Sequence, residues 1–269
     1  MKYTEIAPAK YLSILSLFSP LDFNLVVRSV ASGNTPAWVF ADDPAHPRTA
    51  LIWDRQDAIL VAGAADTEAI EALREIIFER IAPDARARGI PYLALLGTPV
   101  WDGLVPAMLP DLSPQKARRF SFRLDPEDFC PPPEIAGDFK LARIDSFLLV
   151  SRLTHLDEME GWIESFWHSP QDFLQTGYGY CAIAGDAIAA WCLTVFAAGS
   201  ARELGLATIP VFRKRGLATQ VAAACLEHGI ANKHTLHWHC WAENRPSVRV
   251  AEKLGFHIER EYSVYHLQL

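Results

Sequence analysis

The decapeptide VFRKRGLATQ, Val211 to Gln220, sets Arg213, Lys214 and Arg215 beside Gly216. Upstream, ELGLATIP reads as a strand. Downstream, LATQVAAACLEHG reads as a helix with Leu217, Val221, Ala224 and Cys225 along one face. The first backbone N–H groups of a helix have no partner within it and carry the positive end of its dipole. Gly216 leaves open the place where a phosphate would approach, and Ala218 keeps the first turn small. Cations near a helix start are otherwise unfavourable, so three of them beside one suit a bound anion. The other reading is a solvated turn, because a glycine after charged residues is common in loops.

A second constellation is HTLHWHCW, in which alternation puts His237 and His239 on one face of a strand. Two imidazoles at that spacing could share a metal, with His234 or a distant carboxylate completing the set. The plainer reading is polar strand residues facing a cleft, and no metal is expected. Cys240 has no recognisable orienting partner for nucleophilic chemistry.

These groups need a sizeable core to position them. The chain has 269 residues, half of them hydrophobic and 21% charged, which fits one large or two small globular domains. Lys and Arg number 25 against 32 Asp and Glu, a formal charge of −7. That balance argues against a nucleic-acid partner and suits a cationic substrate. Five cysteines without a C-x-x-C pair read as reduced, mostly buried thiols. YLSILSLF near the N-terminus is short, broken by serines and lacks a cleavage site, and no apolar run reaches spanning length. The expectation is a cytoplasmic protein with no membrane partner; the sequence leaves its oligomeric state open.

The seam of the chain is DPEDFCPPPEIAGDF, where Pro131, Pro132 and Pro133 favour an extended linker. A cut there gives domains 1–130 and 131–269. In the first, a helix over Leu21–Ala31 precedes strands at Trp38–Ala41 and Ala50–Trp53. The strands AILVAGA and PYLALLG flank a long helix from Thr67, taken as its N-cap, to a stop at Gly89, giving a βαβ-like unit. A short helix near Gly103–Met108 and the strand ARRFSFRL follow. The second domain repeats the order. It runs strand FKLARI, helical segments over Ser146–Gln175, a hairpin around Gly185-Asp186, strand RELGLATI, helix Gly216–His228, strand LHWHCW, a helix from Ser247 to Gly255 and a last strand pair within Phe256–Leu267.

This order, with Arg213-Lys-Arg-Gly216-Leu-Ala218 for R/Q-x-x-G-x-G/A and Asn244-Arg-Pro-Ser247 followed by Gly255-Phe256, resembles the GCN5-related N-acetyltransferase (GNAT) superfamily. The resemblance covers roughly Phe139–Leu269. ELGLATIPVFRKRGLAT and CWAENRPSVRVAEKLGF look closer still to a subgroup with the zwittermicin-resistance acetyltransferases, in which a degenerate acetyltransferase-like half precedes the active one. It implies an α+β fold of two tandem halves, each a mixed, mostly antiparallel central sheet flanked by helices.

The resemblance also implies roles. Acetyl-coenzyme A is the co-substrate, its pyrophosphate held by backbone N–H groups of Arg213, Lys214, Arg215, Gly216, Leu217, Ala218 and Thr219, with Arg213 and Arg215 reaching phosphates. Its pantetheine arm pairs with the strand end at Leu206, Ala207, Thr208 and Ile209, and Asn244 and Ser247 lie near that arm or the thioester. The acceptor is a small-molecule primary amine attacking directly, with Glu203 the candidate base. The alternative for Glu203 is a solvent-facing strand glutamate. Glu160, Trp162 and Glu164, in EMEGWIESFWHSP, fall in the segment that lines the acceptor site; the alternative is a helix with Trp162, Phe166 and Trp167 packed inward. The position of the family's frequent acid tyrosine is Ala251, with Tyr262 and Tyr265 as substitutes that read better as packing aromatics. That absence keeps a non-catalytic acyl-coenzyme A-binding sensor as the alternative function. The first half has AADTEAIEA at its equivalent turn, where Asp66 and Glu68 would repel a pyrophosphate.

Overall fold

A computed structural model describes residues 3–133 and 137–269. The segment Glu134 to Ala136 of the proline-rich seam lies outside the described residues. Along the chain run β1 (Thr4–Glu5), a 3₁₀ segment (Pro8–Leu21), α1 (Leu25–Ala31), β2 (Trp38–Ala41), β3 (Thr49–Trp53), β4 (Ala58–Gly63), α2 (Thr67–Ile76), α3 (Ala82–Ala87), β5 (Tyr92–Gly97), α4 (Pro99–Asp102), α5 (Val105–Met108) and β6 (Gln115–Arg123). Then follow β7 (Phe139–Arg143), α6 (Leu156–Phe166), α7 (Pro170–Thr176), β8 (Gly179–Ala184), β9 (Ala187–Ala198), β10 (Ala201–Thr208), α8 (Leu217–Ala231), β11 (Thr235–Trp241), α9 (Arg245–Lys253) and β12 (His257–Gln268).

The chain forms two compact units, but not with the boundary at the proline seam. One unit holds the chain through Arg118 together with Tyr262–Leu269; the other is Arg119–Glu261. Strand pairing is the reason. The end of β12 pairs antiparallel with β5, Tyr265 opposite Leu95, so the last residues complete the first unit. The end of β6 pairs antiparallel with β11, Phe122 opposite Trp238, so it completes the second. Hydrogen-bond ladders outweigh the local extended preference of three prolines.

In the first unit β2, β3 and β4 form an antiparallel meander, and β4 pairs parallel with β5, as the βαβ reading requires. Asp66, rather than Thr67, is the N-cap: its Oδ1 accepts from Ala69 N at 2.9 Å. The long helix is interrupted by a π turn, Ile77–Ile81, just before Pro83, which has no N–H to continue the ladder. The apolar YLSILSLF run lies in the 3₁₀ segment and buries Tyr11, Ile14 and Phe18.

In the second unit β7, β8, β9 and β10 are antiparallel neighbours, and β10 pairs parallel with β11. Leu204, Leu236, Trp238 and Cys240 enter one core with Leu217, Val221 and Cys225 of α8 and Val248, Ala251 and Leu254 of α9. The opposite face of β10 meets α6: a Cβ on Gly205 would stand 3.0 Å from the Trp162 ring. Instead of a last strand pair there is one twelve-residue strand, β12. Gly255, at φ +95°, ends α9, and a Cβ there would run into the carbonyl of Asp128. Among the described residues no helix is long and apolar enough to cross a membrane. Cys130 is exposed and the other four cysteines are buried and unpaired.

Candidate active site

The parallel pair β10–β11 is short. Ala201, Arg202 and Glu203 face Thr235, Leu236 and His237, and the register stops there, while β10 runs on against β9 through Thr208. At the parting point the β9 register shifts between Glu203 and Leu204, a bulge of the kind that bends a strand. Ile209 N donates to Ala189 O at 3.0 Å. By antiparallel alternation Ala207 and Gly205 also turn their backbone groups to β9, whereas Leu206 and Thr208 turn theirs to the open side. The backbone groups of Ala207 and Ile209 are thus turned to β9, and Thr208, with Leu206, lies on the edge that could accept a strand-like ligand.

Arg213 Nε donates to the Thr208 carbonyl at 3.2 Å, which ties the basic turn to the end of that edge. Lys214 and Gly216 are both left-handed, at φ +63° and +80°. Gly216 is the N-cap of α8 and supplies no side-chain cap. Thr219 N and Gln220 N bond to Gly216 O, so Thr219's amide is committed to the turn itself. Among the described residues no backbone carbonyl accepts from the N–H groups of Lys214, Arg215, Gly216, Leu217 or Ala218. A run of such donors around a left-handed residue is an anion nest. The Arg215 guanidinium lies 5.6 Å from the centre of the Phe212 ring, and Gln220 Nε2 donates to Pro133 O at 2.6 Å.

Glu203 is not solvent-facing: it is 7% exposed, and its Oε2 has no hydrogen-bond partner among the described residues. Burial pushes its carboxyl up to about 7, against the opposing pull of Arg119. Such a group can take a proton near neutral pH. Its strand neighbour His237 shares a face with His239 and Trp241, since Leu236, Trp238 and Cys240 fill the core on the other side. Arg119 of β6 stands opposite Trp241, its guanidinium 4.8 Å from the ring centre. His234 stacks on Tyr178 instead of joining the histidine pair. Among the described residues, the side chains close enough to share a metal are Asp125, Asp128 and His257, not the histidine pair.

Asn244 caps α9, its Oδ1 accepting from Ser247 N at 3.3 Å, so the helix begins two residues before Ser247. Ser247 Oγ accepts from Trp238 Nε1 at 3.1 Å. Both motif residues therefore have structural work at the helix start that follows β11. Ala251 is buried in the core. Tyr265 donates to the Asp102 carbonyl at 2.6 Å and Tyr262 meets Phe23 edge-on, both within the first unit.

On α6, Met159 and Ile163 are buried, and Trp167 follows at the C-cap with Nε1 donating to Thr194 O. Trp162 and Phe166 are half-buried rather than fully inward. Glu164 is exposed; Glu160 is half-buried and its carboxyl is raised by burial and by Glu164 and Asp157.

Residues 16–265 match the GNAT acetyltransferase family. Over 266 residues the chain is 25% identical to the uncharacterized N-acetyltransferase YdfB of Bacillus subtilis (strain 168), covering 97% of each. Its fold is similar to that of a GCN5-related N-acetyltransferase-like protein from Streptococcus suis 89/1591, with a TM-score of 0.70 and 17% identity over 97% of this chain and 99% of that one. A tandem GNAT protein from the clavulanic acid biosynthesis pathway has a TM-score of 0.57 and 14% identity over 99% and 98% of the two chains.

Proposed function

The chain belongs to the GNAT acetyltransferase family, and from that premise we propose that its second unit transfers an acetyl group from acetyl-coenzyme A to a primary amine of a small molecule. The observation that carries this reading is the parting of β10 from β11 beside the basic turn: an unpaired strand edge, a nest of N–H donors and a buried carboxylate converge there. The fit to the co-substrate is local. The open-side groups of Leu206 and the N–H of Thr208 suit the amides of a pantetheine arm, and the donors at Lys214–Ala218 suit a pyrophosphate.

Acetyl-coenzyme A supplies an activated thioester carbonyl. In the transfer a C–N bond forms at that carbonyl and the C–S bond breaks, the electron pair leaving with sulfur. Glu203 takes the proton that the amine must lose. An outward N–H of Leu206 stabilises the negative charge that develops on the carbonyl oxygen, usually a large share of such catalysis. With Ala251 where an acid tyrosine would stand, the thiolate leaves unassisted, which its pKa of roughly 8.5 tolerates.

The second unit's turn and α9 motif carry the resemblance to zwittermicin-resistance acetyltransferases, which supports a small-molecule acceptor and one co-substrate site per chain. Release of free thiol from acetyl-coenzyme A on adding amines tests the proposal. Thiol release with acetylated amine as product is expected. Binding of acetyl-coenzyme A with no transfer to any amine would make the chain a sensor of the same fold.

A further inference from the structure

Transfer chemistry leaves the acceptor's body unspecified, but the strand face that carries Glu203 constrains it. The next two positions on that face are Gly205 and Ala207, both small. The absence of a side chain at Gly205, two residues along the strand from Glu203, lets the edge of the Trp162 ring stand against the backbone. Trp162 meets Phe166 edge-on at 5.7 Å and Trp191 at 6.0 Å between ring centres. Trp191 stands opposite Ala207 in the β9–β10 register. It is 3% exposed, and its indole N–H has no partner among the described residues. One strip of the second unit thus holds a buried carboxylate with an unpartnered oxygen, an indole wall and a buried, unpartnered N–H donor.

Two unsatisfied buried groups of opposite hydrogen-bonding sense on one aromatic strip point to a ligand that carries both complements. An unpaired buried donor or acceptor costs free energy that a fitting ligand recovers on binding. Resting on the reading of Glu203 as the carboxylate that meets the amine, we infer that the acceptor is an arylalkylamine-type molecule. Its ammonium lies between Glu203 and Trp162, its flat apolar body packs along the indoles, and an oxygen on that body accepts from Trp191 Nε1. Trp162 adds a cation–π contribution before the proton is lost. A polyhydroxylated amine would bury hydroxyls against the indole walls without partners, and a polyamine would bring a second charge into the same apolar strip.

The test uses the full chain and acetyl-coenzyme A with tyramine, phenethylamine, putrescine and glucosamine, following thiol release and, separately, quenching of tryptophan fluorescence by each amine. The expected kcat/KM for tyramine exceeds that for putrescine and glucosamine by about 100-fold, the size of discrimination that an apolar pocket produces. Tyramine should exceed phenethylamine by roughly tenfold, a difference that Trp191→Phe removes. Trp162→Leu should raise the KM for tyramine about tenfold while the Kd for coenzyme A holds, which shows that the variant is folded. Equal or better turnover of putrescine or glucosamine would overturn the inference and leave acetyl transfer standing. Thiol release with none of the amines would overturn acetyl transfer, and tyramine-specific quenching in that case would still support the aromatic amine site. No quenching by tyramine would sink the site itself.

Discussion

Glu203 and His237 are the last residues that face each other in the parallel pair β10–β11; beyond them β10 keeps only β9 as a partner. The parting leaves available backbone groups that a closed sheet would consume, while the carboxylate at its root stays buried.

Glu203→Gln should remove the acidic limb of the rate profile. Burial puts the Glu203 carboxyl at about 7, so wild-type activity is expected to fall as pH drops through that value. The glutamine variant should be slower throughout and flat between pH 6 and 8. A variant that keeps the parent profile would place the proton acceptor elsewhere.

The same residue carries a stability signature of opposite sign. Its folded pKa lies above its unfolded one, so its favourable contribution is full below the unfolded value of 4.5 and is lost as pH rises through about 7. That interval corresponds to about 3 kcal/mol. Glu203→Gln should therefore raise the melting temperature more at pH 8.5 than at pH 5. Equal gains at both would contradict the buried, unpartnered carboxylate.

Gly216→Glu should weaken coenzyme A binding tenfold or more. A side chain at φ +80° is strained by about 1–2 kcal/mol, and a carboxylate there repels a pyrophosphate. Arg213→Ala should cost less, because the N–H groups of the turn remain, although the tie to Thr208 is lost. Calorimetry on both variants would show the order, and an unchanged Gly216→Glu affinity would remove the turn from the site.

One coenzyme A is expected per chain. In the first unit the corresponding helix start is already served by Asp66, which caps Ala69 N and pairs with Arg48 at 3.2 Å, with Glu68 in the first turn. Titration should give a stoichiometry near one. A second site, or one that survives Gly216→Glu, would contradict this division.

Acid should loosen the second unit at the other end of α8. Tyr178 is buried between His228 and His234, with ring centres 4.4 and 5.5 Å away, and burial lowers both imidazole pKa values, with Arg143 near His228 and Arg202 near His234 adding to it. Groups with depressed folded pKa values stabilise above the unfolded value of 6.5, and that contribution is lost as pH falls further. Melting temperature should drop between pH 7 and 5, and His234→Phe should flatten the drop. An unaltered slope would shift the cause to other groups.

The sequence by itself determined what short-range chemistry determines. Gly216 beside three basic residues marked the corner between strand and helix, period-two alternation put His237 and His239 on one face, and the parallel β4–β5 pair followed from strand, helix and strand in order. The family was legible in two motifs because each is a local solution to a helix start. Tertiary structure decided the rest. The last strand joins β5 and the end of β6 joins β11, pairings across many residues that no local propensity encodes, so a cut at the prolines missed them. Which backbone groups face the open edge depended on a hydrogen bond to Ala189, which turns Ala207 and Ile209 to β9 and leaves Leu206 and Thr208 outward. The environment of Glu203, 7% exposed and within the field of Arg119, likewise emerged only in the fold, because burial is a property of neighbours that lie far away in the chain.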